Sequence, residues 1–204
     1  MKIPLKDITL EGDLTAPKDA VGIVVFAHGS GSSRNSPRNK MVAEELAKAG
    51  LATLLFDLLT EEEDADPEKR FDIPFLADRL VQVARFIEKH GETRGMKIGL
   101  FGASTGAAAA LQAAGELKQS ISAVVSRGGR PDLAGAALTQ VLAPTLLIIG
   151  GNDTVVIELN EQAFRELGCE KKMEIIEGAS HLFEEPGCLM QVAHLAEKWF
   201  TKNF

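Results

Sequence analysis

Gly102, Ser104 and Gly106 stand between a short apolar run, residues 98–101, and four consecutive alanines, residues 107–110. The run reads as a buried strand and the alanines as the first turns of a helix. Gly-x-Ser-x-Gly therefore falls on a strand-to-helix turn, the setting in which it makes a nucleophile elbow. A serine on so tight a turn is crowded by the residues two before and two after it, and glycine at both places removes the clash. The alanines let the helix lie close to its sheet and leave Ser104 at a helix N-terminus, where negative charge is favoured.

A serine hydroxyl becomes a nucleophile when a base takes its proton and a third group orients the base. Of the four histidines, His181 occupies a loop, Glu177-Gly-Ala-Ser-His-Leu-Phe183, directly after the last predicted strand. His90 falls at a helix end and His194 inside the last helix, while His28 opens a glycine loop. For the orienting acid, Asp153 leaves a strand through Gly150 and Gly151, which permit a sharp exit. Asp132 competes and reads better as the N-cap of a short helix. Ser104, Asp153 and His181 then follow the chain order of this motif class. Asp153 would hold the right imidazole tautomer and stabilise the imidazolium. A tetrahedral intermediate also needs two backbone donors. The Thr105 N–H and the Ser30 N–H are expected to supply them, with Gly29 and Gly31 letting the Ser30 loop turn inward. That loop, His28-Gly-Ser-Gly-Ser-Ser33, lacks the third glycine of a dinucleotide fingerprint.

The positioning elements alternate between strand and helix. Residues 2–16 form a weak antiparallel edge. Strands are expected at 21–27, 51–56, 98–101, 121–126, 144–149 and 172–176. Helices are expected from Ser36-Pro37 to Ala49, from Pro74 to His90 with Leu76, Leu80, Val83 and Ile87 inward, after Ser104, at about 158–167, and from Glu185-Pro186 onward with Leu189, Val192, Ala196 and Trp199 inward. Residues 57–73, with the acidic run 61–66, read as a polar loop. The pattern is an α/β fold, a mostly parallel sheet covered on both faces, whose ligands sit beyond the carboxyl ends of the strands. His28, Ser104, Arg127, Asp153 and His181 each follow a predicted strand.

A chain of 204 residues is expected to make one domain, and its net charge of -7 argues against a nucleic-acid partner. The N-terminus carries no apolar signal region and no run reaches membrane-spanning length, so a cytoplasmic address without membrane association is expected. Cys169 and Cys188 are expected as free thiols. No Cys/His spacing suits zinc, and no metal is expected. The oligomeric state is left open.

Taken together, Val-Phe-Ala-His28-Gly-Ser-Gly-Ser-Ser, Gly102-Ala-Ser-Thr-Gly106, Gly151-Asn-Asp153 and Gly178-Ala-Ser-His181 resemble the dienelactone-hydrolase-like branch of the α/β-hydrolases, over essentially the whole chain. The resemblance implies an eight-stranded, mostly parallel sheet with the elbow after its fifth strand, no large lid, and cofactor-free hydrolysis of esters, lactones or related acyl compounds. Dienelactone hydrolases carry a cysteine nucleophile and a loop glutamate where this chain has Ser104 and Gly29. The expectation is therefore a carboxylesterase-like serine hydrolase of small or short-chain esters. An acyltransferase, thioesterase or lactonase on the same residues, or a non-catalytic binding protein of this fold, are the alternatives. Arg34 and Arg38 flank the Ser30 loop, and Arg127 and Arg130 follow a strand. They read as solvated surface charge, as partners of the acidic run 61–66, or as anchors for an anionic group on the substrate, with Arg34 and Arg127 the candidates and Phe71 an apolar contact.

Overall fold

The continuous apolar runs become the inner strands of one sheet in the computed structural model, which describes residues 1–204. The strands are β1 (Lys2–Pro4), β2 (Thr9–Thr15), β3 (Gly22–Ala27), β4 (Ala52–Phe56), β5 (Lys97–Ala103), β6 (Ile121–Arg127), β7 (Thr145–Gly150) and β8 (Lys171–Ile176). They lie in the order β1-β2-β4-β3-β5-β6-β7-β8. The first two pair antiparallel at the edge, β2 joins β4 antiparallel, and every pairing from β4 to β8 is parallel. Only a strand covered on both faces can be apolar at every position, and β3, β4 and β7 are buried along their full lengths.

The helices are α1 (Pro37–Lys48), α2 (Glu61–Asp64), α3 (Pro67–Phe71), α4 (Ile73–Ile87), α5 (Thr105–Leu117), α6 (Thr154–Glu166) and α7 (Cys188–Asn203). They divide between the two faces as strand alternation demands. Ile23 and Val25 of β3 pack with α4, α5 and α6 in one core, whereas Val24 and Phe26 pack with α1 and α7 in the other. Helix α5 lies flat on the sheet because its inner residues are small. Ala107, Ala108, Ala109 and Ala110 are fully buried, and a Cβ on Gly106 would fall on the Ala27 carbonyl oxygen.

Four local expectations are corrected. The loop after β4 contains α2 and α3, started by the side-chain caps of Thr60 and Asp66. Helix α6 begins at Thr154, earlier than its apolar pattern indicates, and Asp153 precedes it without capping it. Asp132 lies inside the 3₁₀ segment Pro131–Gln140 and pairs with Arg130 at 2.8 Å, so it is not an N-cap. Helix α7 starts only at Cys188, after Gly187 at φ 81. No helix is long and apolar enough to cross a membrane, and both cysteines are free.

Candidate active site

Ser104 has φ 51 and ψ -123, a strained conformation for a residue with a side chain. Neighbouring strands over-determine it. Its N–H donates to the Arg127 carbonyl at 3.3 Å, and its own carbonyl accepts from the N–H groups of Ala107 at 3.1 Å and Arg130 at 3.0 Å. The loop after β3 closes on it from the other side. A Cβ added to Gly29 would lie 3.1 Å from the Ser104 Cβ, so a larger residue there would press on the serine.

Asp153 and His181 come from the far side of the sheet. The glycines after β7 let residues 150–152 run against the turn after β8: Gly151 N–H donates to Ile176 at 2.8 Å and Asn152 N–H to Ala179 at 2.9 Å. The Asp153 carboxylate is thereby aimed at the imidazole. His181 Nδ1 donates to Asp153 Oδ2 at 2.6 Å. The histidine turn is anchored at both ends. Glu185 Oε2 accepts the Ser180 N–H at 3.0 Å, an interaction that holds its carboxyl below the usual range. Phe183, at φ 59, is buried in the α1/α7 core. A Cβ on Gly128 would lie 2.9 Å from the His181 carbonyl oxygen. Ser104 thus rests on the backbone of Arg127 and His181 on that of Gly128, which brings the serine, the histidine and the acid to one end of the sheet.

The expected oxyanion donors flank Ser104, with one difference from expectation. Thr105 opens α5, so its N–H is one of the donors a helix leaves without an internal partner. The Ser30 N–H, by contrast, is already engaged and donates to Thr105 Oγ1 at 2.9 Å. The Ser30 hydroxyl donates to the Arg70 carbonyl at 2.6 Å, which ties the loop to the end of α3.

His28 is buried and braces the same loop. Leu58 N–H donates to its Nε2 at 3.0 Å and its Nδ1 reaches the Gly29 carbonyl at 3.0 Å. Burial pushes its pKa down, which favours the neutral ring. Beside it lies a cleft of about 300 Å³ lined by His28, Ser32, Arg34, Asp57, Thr60 and Asp64. A larger hollow of about 650 Å³ between α1 and β2 holds none of the candidate residues.

The three residues offered for substrate contact are not brought into one pocket. Arg34 is held by Asp57 and by Glu11 at 2.9 Å, with Asp13 at 3.7 Å, rather than by residues 61–66. Arg127 is 5% exposed. It donates to Asn39 Oδ1 at 3.0 Å and lies 5.9 Å from the centroid of the Phe183 ring. Burial, with Arg38 nearby, lowers its pKa to about 10. Phe71 is 63% exposed at the end of α3. No three His, Cys, Asp or Glu side chains gather as metal ligands. The brace of His28, the hydroxyl of Thr105 and the anchor of Glu185 were not read from sequence, since each acts through a partner that no local pattern marks.

A model of the dienelactone hydrolase family matches residues 10–201. Two proteins of Mycobacterium tuberculosis, both called putative phosphoribosyl transferases, are 55% identical over 196 residues, covering 96% of this chain but 44% of theirs. The chain thus spans less than half the length of these relatives. A crystal structure of a dienelactone hydrolase from Anabaena variabilis is 53% identical with a TM-score of 0.97, over 100% of this chain and 96% of that one. Est1E from Butyrivibrio proteoclasticus, solved with ferulic acid bound, shares the fold at a TM-score of 0.83 and 17% identity, over 100% of this chain and 98% of that one. With an eight-stranded α/β-hydrolase sheet and a family match along nearly its whole length, the chain belongs to the dienelactone hydrolase family.

Proposed function

We infer that the chain is a serine hydrolase of carboxylic esters with small or short acyl groups, acting through an acyl-enzyme. The observation that carries this reading is the 2.6 Å bond from His181 Nδ1 to Asp153 Oδ2. It turns the other imidazole nitrogen, Nε2, into the acceptor a serine needs. In this reading His181 Nε2 takes the proton as Ser104 Oγ attacks the ester carbonyl. The carbonyl oxygen becomes an oxyanion beside the Thr105 and Ser30 N–H groups. The imidazolium, stabilised by Asp153, then gives its proton to the departing alcohol. Water repeats the sequence to release the acid.

The transferase name of the M. tuberculosis relatives fits less well. Phosphoribosyl transfer displaces pyrophosphate from an anomeric carbon and calls for no acyl-enzyme. More than half of each relative lies outside the matched region and has room for that activity. Thioesters and lactones remain chemically open to the same three residues.

The test is hydrolysis of short nitrophenyl esters by wild type and Ser104→Ala. Removing the serine of a comparable triad lowers kcat by about 10⁶, and a loss of that order is expected. Equal turnover by both proteins would remove Ser104 from the chemistry. A wild type that neither turns over an ester nor reacts with a fluorophosphonate would point to a binding protein.

A further inference from the structure

The hydrogen bonds around Ser30 settle the direction of every proton in them. The Ser30 hydroxyl has one proton, and the Arg70 carbonyl, 2.6 Å away, has none to offer. That proton therefore goes to Arg70, and the contact of 3.2 Å between Ser30 Oγ and Thr105 Oγ1 is donated by the threonine. Thr105 Oγ1 in turn accepts the Ser30 N–H at 2.9 Å. The side chain of one expected oxyanion residue thus occupies the backbone donor of the other. Thr105 is only 8% exposed, so water does not readily take over this role.

We propose that Thr105 is a positioning residue whose hydroxyl holds the Ser30 N–H until charge develops on the substrate oxygen. The proposal rests on the ester-hydrolase reading. A neutral ester carbonyl offers the N–H a bond of the same kind as the hydroxyl does, so the exchange gains nothing in the ground state. An oxyanion accepts a charge-assisted bond about twice as strong, so the exchange becomes favourable as the tetrahedral intermediate forms. Interactions made more strongly in the transition state than in the ground state are the ones that accelerate the chemical step. Releasing the N–H from the hydroxyl costs one neutral bond whichever acceptor replaces it, so the hydroxyl weakens grip on ester and oxyanion alike, while the stronger bond to the oxyanion still favours the chemical step. The hydroxyl also keeps the donor satisfied in the free enzyme, where a buried unpartnered N–H would be costly.

Thr105→Val keeps the side-chain shape and removes the acceptor. Its expected effect is a fall in KM for nitrophenyl esters of about two- to tenfold, the exchange of one neutral hydrogen bond, with kcat changing less. The second-order rate of Ser104 phosphonylation by a fluorophosphonate is expected to rise by a similar factor. Thr105→Ser, which restores an acceptor, is expected to move both quantities back towards wild type, and Thr105→Ala removes the acceptor without the packing demands of valine. A folded Thr105→Val protein with raised KM, slower phosphonylation or no change in either would overturn the proposal. If the wild type is not phosphonylated at Ser104, the ester-hydrolase reading fails and this proposal with it. Phosphonylation that is indifferent to Thr105 sinks the proposal alone.

Discussion

The backbone N–H of Leu58 donates to Nε2 of His28 at 3.0 Å. An imidazole nitrogen that accepts carries no proton, so the proton sits on Nδ1, which reaches the Gly29 carbonyl at 3.0 Å. One neutral ring therefore joins the loops that follow β3 and β4. Gly29, where a Cβ would meet the Ser104 side chain, lies in one of these loops, while the other leads into α2 and α3. Protonating Nε2 would set an N–H against the Leu58 N–H and open the joint.

Stability is expected to follow His28 in mild acid. Its folded pKa lies below the ordinary value of 6.5 because burial disfavours the charged ring. Between the folded value and 6.5 the unfolded chain binds more protons than the folded one. The contribution is therefore complete above pH 6.5 and lost as the pH falls through the folded pKa, with a slope of at most about 1.4 kcal/mol per pH unit. Denaturant midpoints at pH 7.5 and 5.5 measure it. His28→Gln is expected to be less stable at the higher pH and to lose less on acidification. Parallel losses in both proteins would show that folding does not lower the His28 pKa.

Asp153→Asn separates orientation from folding. The Asp153 side chain makes no capping bond to α6, so the substitution leaves that helix start as it was. The carboxamide can hold the wrong tautomer of His181 and no longer balances an imidazolium. A comparable exchange in a known triad lowers kcat by about 10⁴, and a fall of that order with a nearly constant KM is expected on nitrophenyl esters. A fall of less than tenfold would take the orienting role away from Asp153.

The parts legible in the sequence are those written in short-range patterns. The apolar run 21–27 becomes β3, and Ser36-Pro37 opens α1, with the Ser36 side chain accepting from Asn39 N–H. Gly102-Ala-Ser-Thr-Gly106 becomes the turn between β5 and α5. The signals for α2 were equally local, Thr60 and Glu63 forming a reciprocal capping box. They were hidden by the acidic run between 61 and 66, which reads as loop. The start of α6 was missed for another reason: Asp153 has the residue type of an N-cap and spends its carboxylate on His181. His28 and Thr105 lie further still from pattern. His28 meets Leu58 thirty residues away and Ser30 meets Thr105 seventy-five away, and no periodicity records a pairing at such distance.

Arg127 offers the last test, because its place in the structure changes what its loss is expected to do. From sequence alone, an arginine at the carboxyl end of a strand reads as an anchor for an acidic substrate group. In the structure its guanidinium points to Asn39 of α1 and lies near the face of Phe183, two residues beyond His181. A side chain 5% exposed and aimed beneath the histidine turn bears on the position of that turn. Arg127→Met fills similar space and removes a charge whose burial is costly, as its lowered pKa of about 10 reflects. It also leaves Asn39 Oδ1 without its donor, which costs about 1–3 kcal/mol. These effects oppose each other, so the melting temperature is expected to move by only a few degrees. Activity is expected to fall on neutral and acidic esters alike, through kcat, as the turn carrying His181 loosens. Parallel kinetics on a nitrophenyl ester with and without a terminal carboxylate decide the matter. A rise in KM confined to the acidic ester would return Arg127 to substrate recognition.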